Sequence, residues 1–272
     1  MEDELRKIVE NDSWKETFDQ ICLVSKTGKK CSTLKACAFE NLCLNRYDNV
    51  LPYDHSRVVL HSKNGRSDYI NASLVENDRA KRRYILSQGP LYMTIGHFWS
   101  MVWHEKHGQI LAFLAVQLIF LKFLEVVRES GSLEEDVGPP VVHCSTGIGR
   151  SGTFAHIDTS LVLIAKEGAS SVILKDILLD LRRYRMGLIQ TWEQLKFSYL
   201  SILFSAKIDQ HISLDFLDDL KKPTPEPNEP DSSVINKRPW SFNEYNKKYR
   251  KQEQELKSFS CEPSTSKANE DT

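Results

Sequence analysis

The sequence has no apolar run long enough to cross a bilayer. Its longest candidate, Ile110 to Leu121, falls short of the ~20 residues a spanning helix needs, holds Gln117 inside it and meets Lys122 at its end. No transmembrane segment is expected. Nor is there an excess of charge of either sign, since 36 Lys and Arg stand against 37 Asp and Glu, a formal net charge of -1. Without a large single-sign field, nucleic acid is not expected as a partner, nor is an anionic membrane. The start, Met-Glu-Asp-Glu, lacks the basic and apolar stretches of a secretory signal, and cysteine is sparse, with six residues in the whole chain. A reducing, cytoplasmic or nuclear setting is expected. Cys31, Cys37 and Cys43 recur at even spacing, but zinc sites favour pairs about two to four residues apart, and no histidine cluster accompanies them. They read as structural thiols, so no metal and no cofactor is expected. No internal repeat is apparent, which argues against a solenoid.

What is there alternates strand and helix signals. Met1 to Val24 has helical periodicity, while Tyr69 to Ser73 and Tyr84 to Ser87 read as short strands bounded by turn residues. Ile110 opens a buried strand, and a helix from Leu118 to Glu129 ends at Ser130-Gly131. After Gly138-Pro139-Pro140 comes a short apolar strand, Val141-Val142, and then a helix from Arg150 to Ala165. Val172 to Arg183 is apolar at helical spacing. Trp192 to Ile208 forms a last amphipathic helix, with Thr191 as its N-cap and Gln194 at N3. Strands come early and helices late, an α/β (α+β) arrangement. Beyond about Leu220 the composition turns to Lys-Lys-Pro-Thr-Pro-Glu-Pro-Asn-Glu-Pro, which cannot bury enough apolar surface to order itself. Residues 1–212 are therefore expected to fold and residues 213–272 to form a disordered tail. Its prolines lack interleaved basic residues and offer at most a weak polyproline contact. Lys237-Arg238 and Lys247 to Lys251 read more readily as a solvated charge run than as a nuclear import signal.

The chemistry concentrates in His143-Cys-Ser-Thr-Gly-Ile-Gly-Arg-Ser-Gly-Thr153. Between Cys144 and Arg150, the residues Ser145, Thr146, Gly147, Ile148 and Gly149 form a loop. Its glycines let successive backbone N–H groups point inward at a tetrahedral anion. The helix that follows adds N–H donors and partial positive charge at the same point. In that field a thiol that ordinarily titrates near 8.5 can fall to roughly 3.5–7.5 and act as a nucleophile at neutral pH. Cys144 is thus the expected nucleophile, and the planar, permanently charged fork of Arg150 the expected phosphate clamp. Ser151 and His143 are expected to steady the sulfur and the loop. A buried structural cysteine beside a glycine turn is the bland alternative, and the strand before and helix after the loop weigh against it.

His143 to Phe154 resembles the active-site signature of the protein tyrosine phosphatases. Other stretches resemble the same family in order: Asn45 to Arg57 its phosphotyrosine-recognition loop, Asp68 to Ser73 and Tyr84 to Pro90 its framework segments, His97 to Trp103 the helix that follows, and Tyr184 to Thr191 its glutamine loop. The runs Pro52 to Arg57 and Met186 to Thr191 are most similar to the non-receptor subfamily of tyrosine phosphatase 1B and the T-cell phosphatase. The resemblance covers about residues 1–208. It implies the cysteine-phosphatase fold, a twisted mixed sheet flanked by helices, and hydrolysis of phosphotyrosine in proteins through a phosphocysteine intermediate in signalling. It further implies that Tyr47 stacks on the substrate ring, that Gln190 orients the hydrolytic water, and that Gln194 supports Gln190. Asn49 stands where the family has an aspartate that holds the peptide main chain. Thr146 stands where alanine is usual, and only its backbone N–H is expected to matter.

One part of the family pattern is missing. Trp103 and Cys144 are separated by only 144 − 103 = 41 positions, where the family holds further strands and the Trp-Pro-Asp loop carrying the general acid. None of Trp14, Trp99, Trp103, Trp192 or Trp240 is followed by proline. The expectation is an internal truncation near residues 110–120, a sheet short of several strands, and an impaired phosphatase. The alternatives are a phosphotyrosine-binding pseudophosphatase and a non-functional splice or gene-model variant.

Overall fold

The computed structural model describes residues 1–28, 31–61, 67–104, 110–112 and 120–210. They fall within one unit, Met1–Asp215; the second, Phe216–Thr272, holds the expected tail and lies outside the described residues. Most of the expected apolar stretch from Ile110 to Leu121 lies outside them too.

The N-terminal stretch, expected as one helix, is two: α1 (Glu2–Glu10) and α2 (Trp14–Thr27). The chain turns at Asp12, whose φ of 45° is left-handed, a conformation that aspartate tolerates better than most residues. After the break, Ser13 N–H returns to Ile8 O at 3.0 Å. Leu5, Ile8, Trp14 and Ile21 are buried. Glu4 joins this start to the far end of the domain, accepting the Leu174 and Lys175 N–H groups at 3.0 and 3.1 Å and the Tyr199 hydroxyl at 3.0 Å. A carboxylate at a helix N-terminus satisfies orphan donors and meets the positive end of the dipole.

A short helix, α3 (Leu34–Cys37), precedes a five-stranded mixed sheet of β1 (Arg57–Val59), β2 (Tyr69–Asn77), β3 (Arg82–Gln88), β4 (Ile110–Ala112) and β5 (Val141–Cys144). Their spatial order is β1-β2-β3-β5-β4. β1, β2 and β3 are antiparallel, whereas β5 lies parallel to both β3 and β4. The two expected short strands are longer than the segments that announced them, because Glu76, Asn77, Arg82 and Arg83 continue the antiparallel pairing with polar side chains. Val141, Val142 and Cys144 are buried, as expected of an interior parallel strand covered on both faces.

Among the described residues five further α-helices flank the sheet: α4 (Ile95–His104), α5 (Phe120–Glu129), α6 (Arg150–Glu167), α7 (Leu174–Arg182) and α8 (Trp192–Gln210). Helix α7 starts two residues later than expected, with Ile173 extended at φ -113° and ψ 110° as its N-cap. Thr191 Oγ1 accepts the Gln194 N–H at 3.3 Å at the start of α8, as expected. Helix α6 is buried continuously from Ser151 to Leu161, so it is the domain's central post rather than an amphipathic cover. It holds a buried carboxylate, Asp158, which accepts from Arg82 Nε at 2.9 Å, Arg128 Nε at 2.8 Å and the Tyr84 hydroxyl at 2.7 Å. These contacts tie α5 and β3 to α6. The core beside β5 includes Val58, Ile70, Ile85, Phe98, Met101 and Val141. Among the described residues no helix is long and apolar enough to cross a membrane.

Candidate active site

Strand β5 ends at Cys144, the chain bends through residues 145–149, and α6 begins at Arg150 with Gly149 as its N-cap. The bend wraps the sulfur: Gly147 N–H donates to Cys144 Sγ at 3.2 Å. Gly147 has φ +72°, and a Cβ there would lie 2.7 Å from Gln88 N and closer still to the Ser87 carbonyl. Only glycine serves at such a position. The second glycine leaves space for side chains, since a Cβ on Gly149 would come within 2.7 Å of Gln190 Oε1 and 3.1 Å of Gln194 Nε2, the ends of two flexible side chains that would have to shift. Gly152, on the first turn of α6, makes room for the backbone of Ile189, 2.7 Å from where its Cβ would be. Two of the three glycines therefore let the glutamine loop lie down on the nucleophile loop.

Cys144 is buried, and burial alone would push its thiol up. The Ser151 hydroxyl and N–H, the Gly147 N–H and the Thr146 hydroxyl outweigh it and hold the thiol below its ordinary value. Ser151 Oγ is buried without a hydrogen bond of ordinary geometry, so its pull is that of a nearby O–H dipole rather than of a well-formed bond. His143 is half-buried with its ring edge-on to Phe98 at 5.4 Å. Burial lowers its pKa, and a hydrogen bond to the Cys144 backbone pulls partly back. Arg150 is exposed on the first turn of α6.

Tyr47 and the loop are brought together: the Tyr47 hydroxyl and Ser145 Oγ are 3.0 Å apart, and Tyr47 is 40% exposed. Gln190 and Gln194 are brought in as well, with Gln194 Oε1 accepting the Gln190 N–H at 2.9 Å. The Thr146 hydroxyl, for which no role was expected, donates to Gln190 Oε1 at 3.0 Å. Ile148 is buried behind the loop. Asn49 is exposed on the Tyr47 turn and makes no hydrogen bond or ion pair among the described residues.

The sequence reading missed the residues that hold these parts in place. Arg185 is fully buried, and donates to Gly147 O at 3.0 Å, Thr146 O at 3.2 Å, Ser73 Oγ at 3.1 Å and Asn71 Oδ1 at 2.8 Å. Burial lowers its guanidinium to about 10, against the raising influence of Cys144 and Tyr69. Arg182 does the same for the glutamine loop, reaching Leu188 O at 2.9 Å and Ile189 O at 3.0 Å. Gln88 stands beside Cys144 in the sheet register. It accepts the Arg46 N–H at 2.9 Å and donates to Leu44 O at 2.9 Å, which pins the Tyr47 turn next to the sulfur. A buried arginine leaves no periodic trace in a sequence; Arg182 and Arg185 stand in the run Arg-Arg-Tyr-Arg beside Arg183, which is exposed, and nothing in the run sets the buried pair apart.

The family description of protein-tyrosine phosphatases matches residues 41–118 and 115–204, more than half of the chain. The chain belongs to the protein-tyrosine phosphatase family. Among its relatives, the tyrosine-protein phosphatase non-receptor type 61F of Drosophila melanogaster is 38% identical over 273 aligned positions, covering 71% of this chain and 49% of that protein. The tyrosine-protein phosphatase non-receptor type 2 of Homo sapiens is 39% identical over 241 positions, covering 62% and 57%, and that of Rattus norvegicus is 40% identical over the same span. The chain spans about half the length of the curated relatives it matches.

Proposed function

We propose that this chain hydrolyses phosphotyrosine in proteins through a phosphocysteine intermediate on Cys144, at a rate limited by the absence of a Trp-Pro-Asp acid. The observation that carries the proposal is the buried Cys144 sulfur, held below its ordinary thiol value while it accepts the Gly147 N–H at 3.2 Å. In the first step the thiolate forms a bond to phosphorus, the bond from phosphorus to the tyrosyl oxygen breaks, and the phenolate takes its proton from solvent. Arg150 and the N–H groups from Ser145 to Gly149 hold the phosphoryl oxygens. Tyr47 lies at the mouth for the substrate ring, and Asn49 beside it for the peptide. A positioned general acid contributes roughly 10²–10⁴-fold, so turnover of phosphotyrosine is slowed but not abolished.

The missing acid is read as an internal truncation between β4 and α5. Two observations support that reading. The two family matches meet at residues 115–118, and Trp99 and Trp103 on α4 are 58% and 82% exposed, an aromatic surface of the kind a further segment would cover. An intact cradle without an acid also favours a second reading, a pseudophosphatase that binds phosphotyrosine proteins without releasing phosphate. The proposed setting is the cytoplasm or nucleus.

Turnover of an activated aryl phosphate, whose leaving group needs no acid, separates the readings when measured beside a phosphotyrosine peptide. Turnover of the aryl ester with much slower turnover of the peptide supports the impaired enzyme. Saturable peptide binding that Arg150→Ala abolishes, without turnover of either ester, supports the binding protein.

A further inference from the structure

The loop carries a hydroxyl where the family pattern has a methyl group, and that hydroxyl is engaged. Thr146 Oγ1 lies 4.0 Å from Cys144 Sγ and donates to Gln190 Oε1 at 3.0 Å while accepting the Ile148 N–H at 3.4 Å. Gln190 is confined from other sides as well. Its own N–H is held by Gln194 Oε1 at 2.9 Å. Its Oε1 occupies the space that a Cβ on Gly149 would need, 2.7 Å away. Ile189, just before it, is left-handed with φ 63° and has its carbonyl fixed by Arg182 Nη2 at 3.0 Å. The backbone thus delivers Gln190 to the rim of the cradle, and the Thr146 hydroxyl fixes where its amide comes to rest.

We propose that Thr146 is a positioning residue for the second half of the reaction, its hydroxyl holding the Gln190 amide beside the sulfur so that water meets the phosphocysteine there. The inference rests on the phosphocysteine chemistry proposed above. A hydroxyl has one proton to donate, and two acceptors face it, the sulfur and Gln190 Oε1. Before the reaction the thiolate competes for that proton. Once the sulfur carries a phosphoryl group it has lost its anionic charge and becomes a poor acceptor, so the proton goes to Gln190. The chain from Ile148 N–H through the Thr146 hydroxyl to Gln190 Oε1 is then complete, and bonds in such a chain strengthen one another. Oε1 keeps a second lone pair for a proton of the incoming water. The water oxygen bonds to phosphorus as the phosphorus–sulfur bond breaks. The electron pair returns to Cys144 as thiolate, and both water protons leave with the product as dihydrogen phosphate. No further reactant is required. With no Trp-Pro-Asp residue to direct the water, this tether matters more here than it would with the acid present.

The test is a rapid-quench comparison of the full chain with T146V, which keeps the shape and loses the hydroxyl, and T146S, which keeps the hydroxyl, using para-nitrophenyl phosphate. The burst of nitrophenol reports formation of the phosphocysteine, and the steady state reports its hydrolysis. Because the Thr146 hydroxyl also helps to lower the Cys144 thiol, the comparison is made at a pH where the thiol of each variant is fully ionised; there the T146V burst rate stays within about two-fold while the steady state falls about five- to ten-fold, the worth of one hydrogen bond. In T146S both stay close to those of the unsubstituted chain. A T146V steady state equal to that of the unsubstituted chain, or a burst and steady state that fall together, overturns the inference. Absence of any nitrophenol release from the unsubstituted chain overturns the phosphocysteine reading itself, and this inference with it.

Discussion

Arg185 Nε donates to Gly147 O at 3.0 Å, so the nucleophile loop is held from beneath by a residue more than thirty positions later in the chain. The same guanidinium reaches Asn71 and Ser73 on β2, which makes one buried cation the joint between sheet, nucleophile loop and glutamine loop. Arg185→Met leaves several buried acceptors unpaired at about 1–3 kcal/mol each. Thermal unfolding is expected to fall by roughly ten degrees, at about 2–4 °C per kcal/mol for a domain of this size. Arg185→Lys restores charge but not the fork and recovers only part of the loss. A midpoint unchanged in Arg185→Met would show that the joint carries no stability.

Gly147→Ala places a methyl group against the Ser87 carbonyl and holds a side-chain residue at φ +72°. A left-handed conformation alone costs roughly 1–2 kcal/mol, and the overlap forces the loop outward, withdrawing the N–H from Cys144. The expected outcome is loss of phosphate and vanadate binding by calorimetry, with the far-ultraviolet circular dichroism of the domain retained.

The Cys144 thiol is expected to be alkylated by iodoacetamide with a pH midpoint below the free-thiol value of about 8.5. Ser151→Ala removes the hydroxyl that does most to lower it and shifts the midpoint upward, while the rate at high pH, where every thiol is ionised, stays nearly unchanged. A midpoint that stays put would assign the lowering to the backbone N–H groups alone.

His156 is fully buried on α6, with its ring nitrogens 3.2 Å from Ser198 Oγ and 3.0 Å from Leu174 O. Burial, with a smaller contribution from Arg182, lowers it to about 4, against the raising effect of the Leu174 carbonyl. The unfolded chain takes up a proton near pH 6.5 that the folded chain refuses until about pH 4. Stability is therefore complete above 6.5 and lost as pH falls through that window, by on the order of 3 kcal/mol. Urea unfolding at pH 7 and pH 4.5 measures it, and His156→Gln, which cannot take up the proton, should flatten the dependence.

The segment from Val141 to Arg150 was legible because its meaning is local. An apolar strand, two glycines between Cys144 and Arg150 and a helix directly after them describe one continuous bend, and the structure forms that bend. Thr191 as a helix cap was legible for the same reason, the cap being three residues from the N–H it serves. The break at Asp12 was not, because the polar run Glu10-Asn11-Asp12-Ser13 is as compatible with the exposed face of one continuous helix as with a turn between two. Nor were the upper ends of β2 and β3, where polar residues pair by register rather than by pattern.

By itself the sequence determined the strand, bend and helix from Val141 through Arg150 and which family the chain joins, since these depend on residue identity at short separation, where backbone conformation is set by neighbours. Only the tertiary structure decided how that loop is supported. The Arg185 contacts to Ser73 and Asn71 span 112 and 114 positions, the Tyr47 contact to Ser145 spans 98, and the Thr146 tether to Gln190 spans 44. Such pairs leave no spacing to read, because a hydrogen bond at the bottom of a cleft requires only that two donors and acceptors meet there, and that meeting is made by the packing of α6 and the sheet.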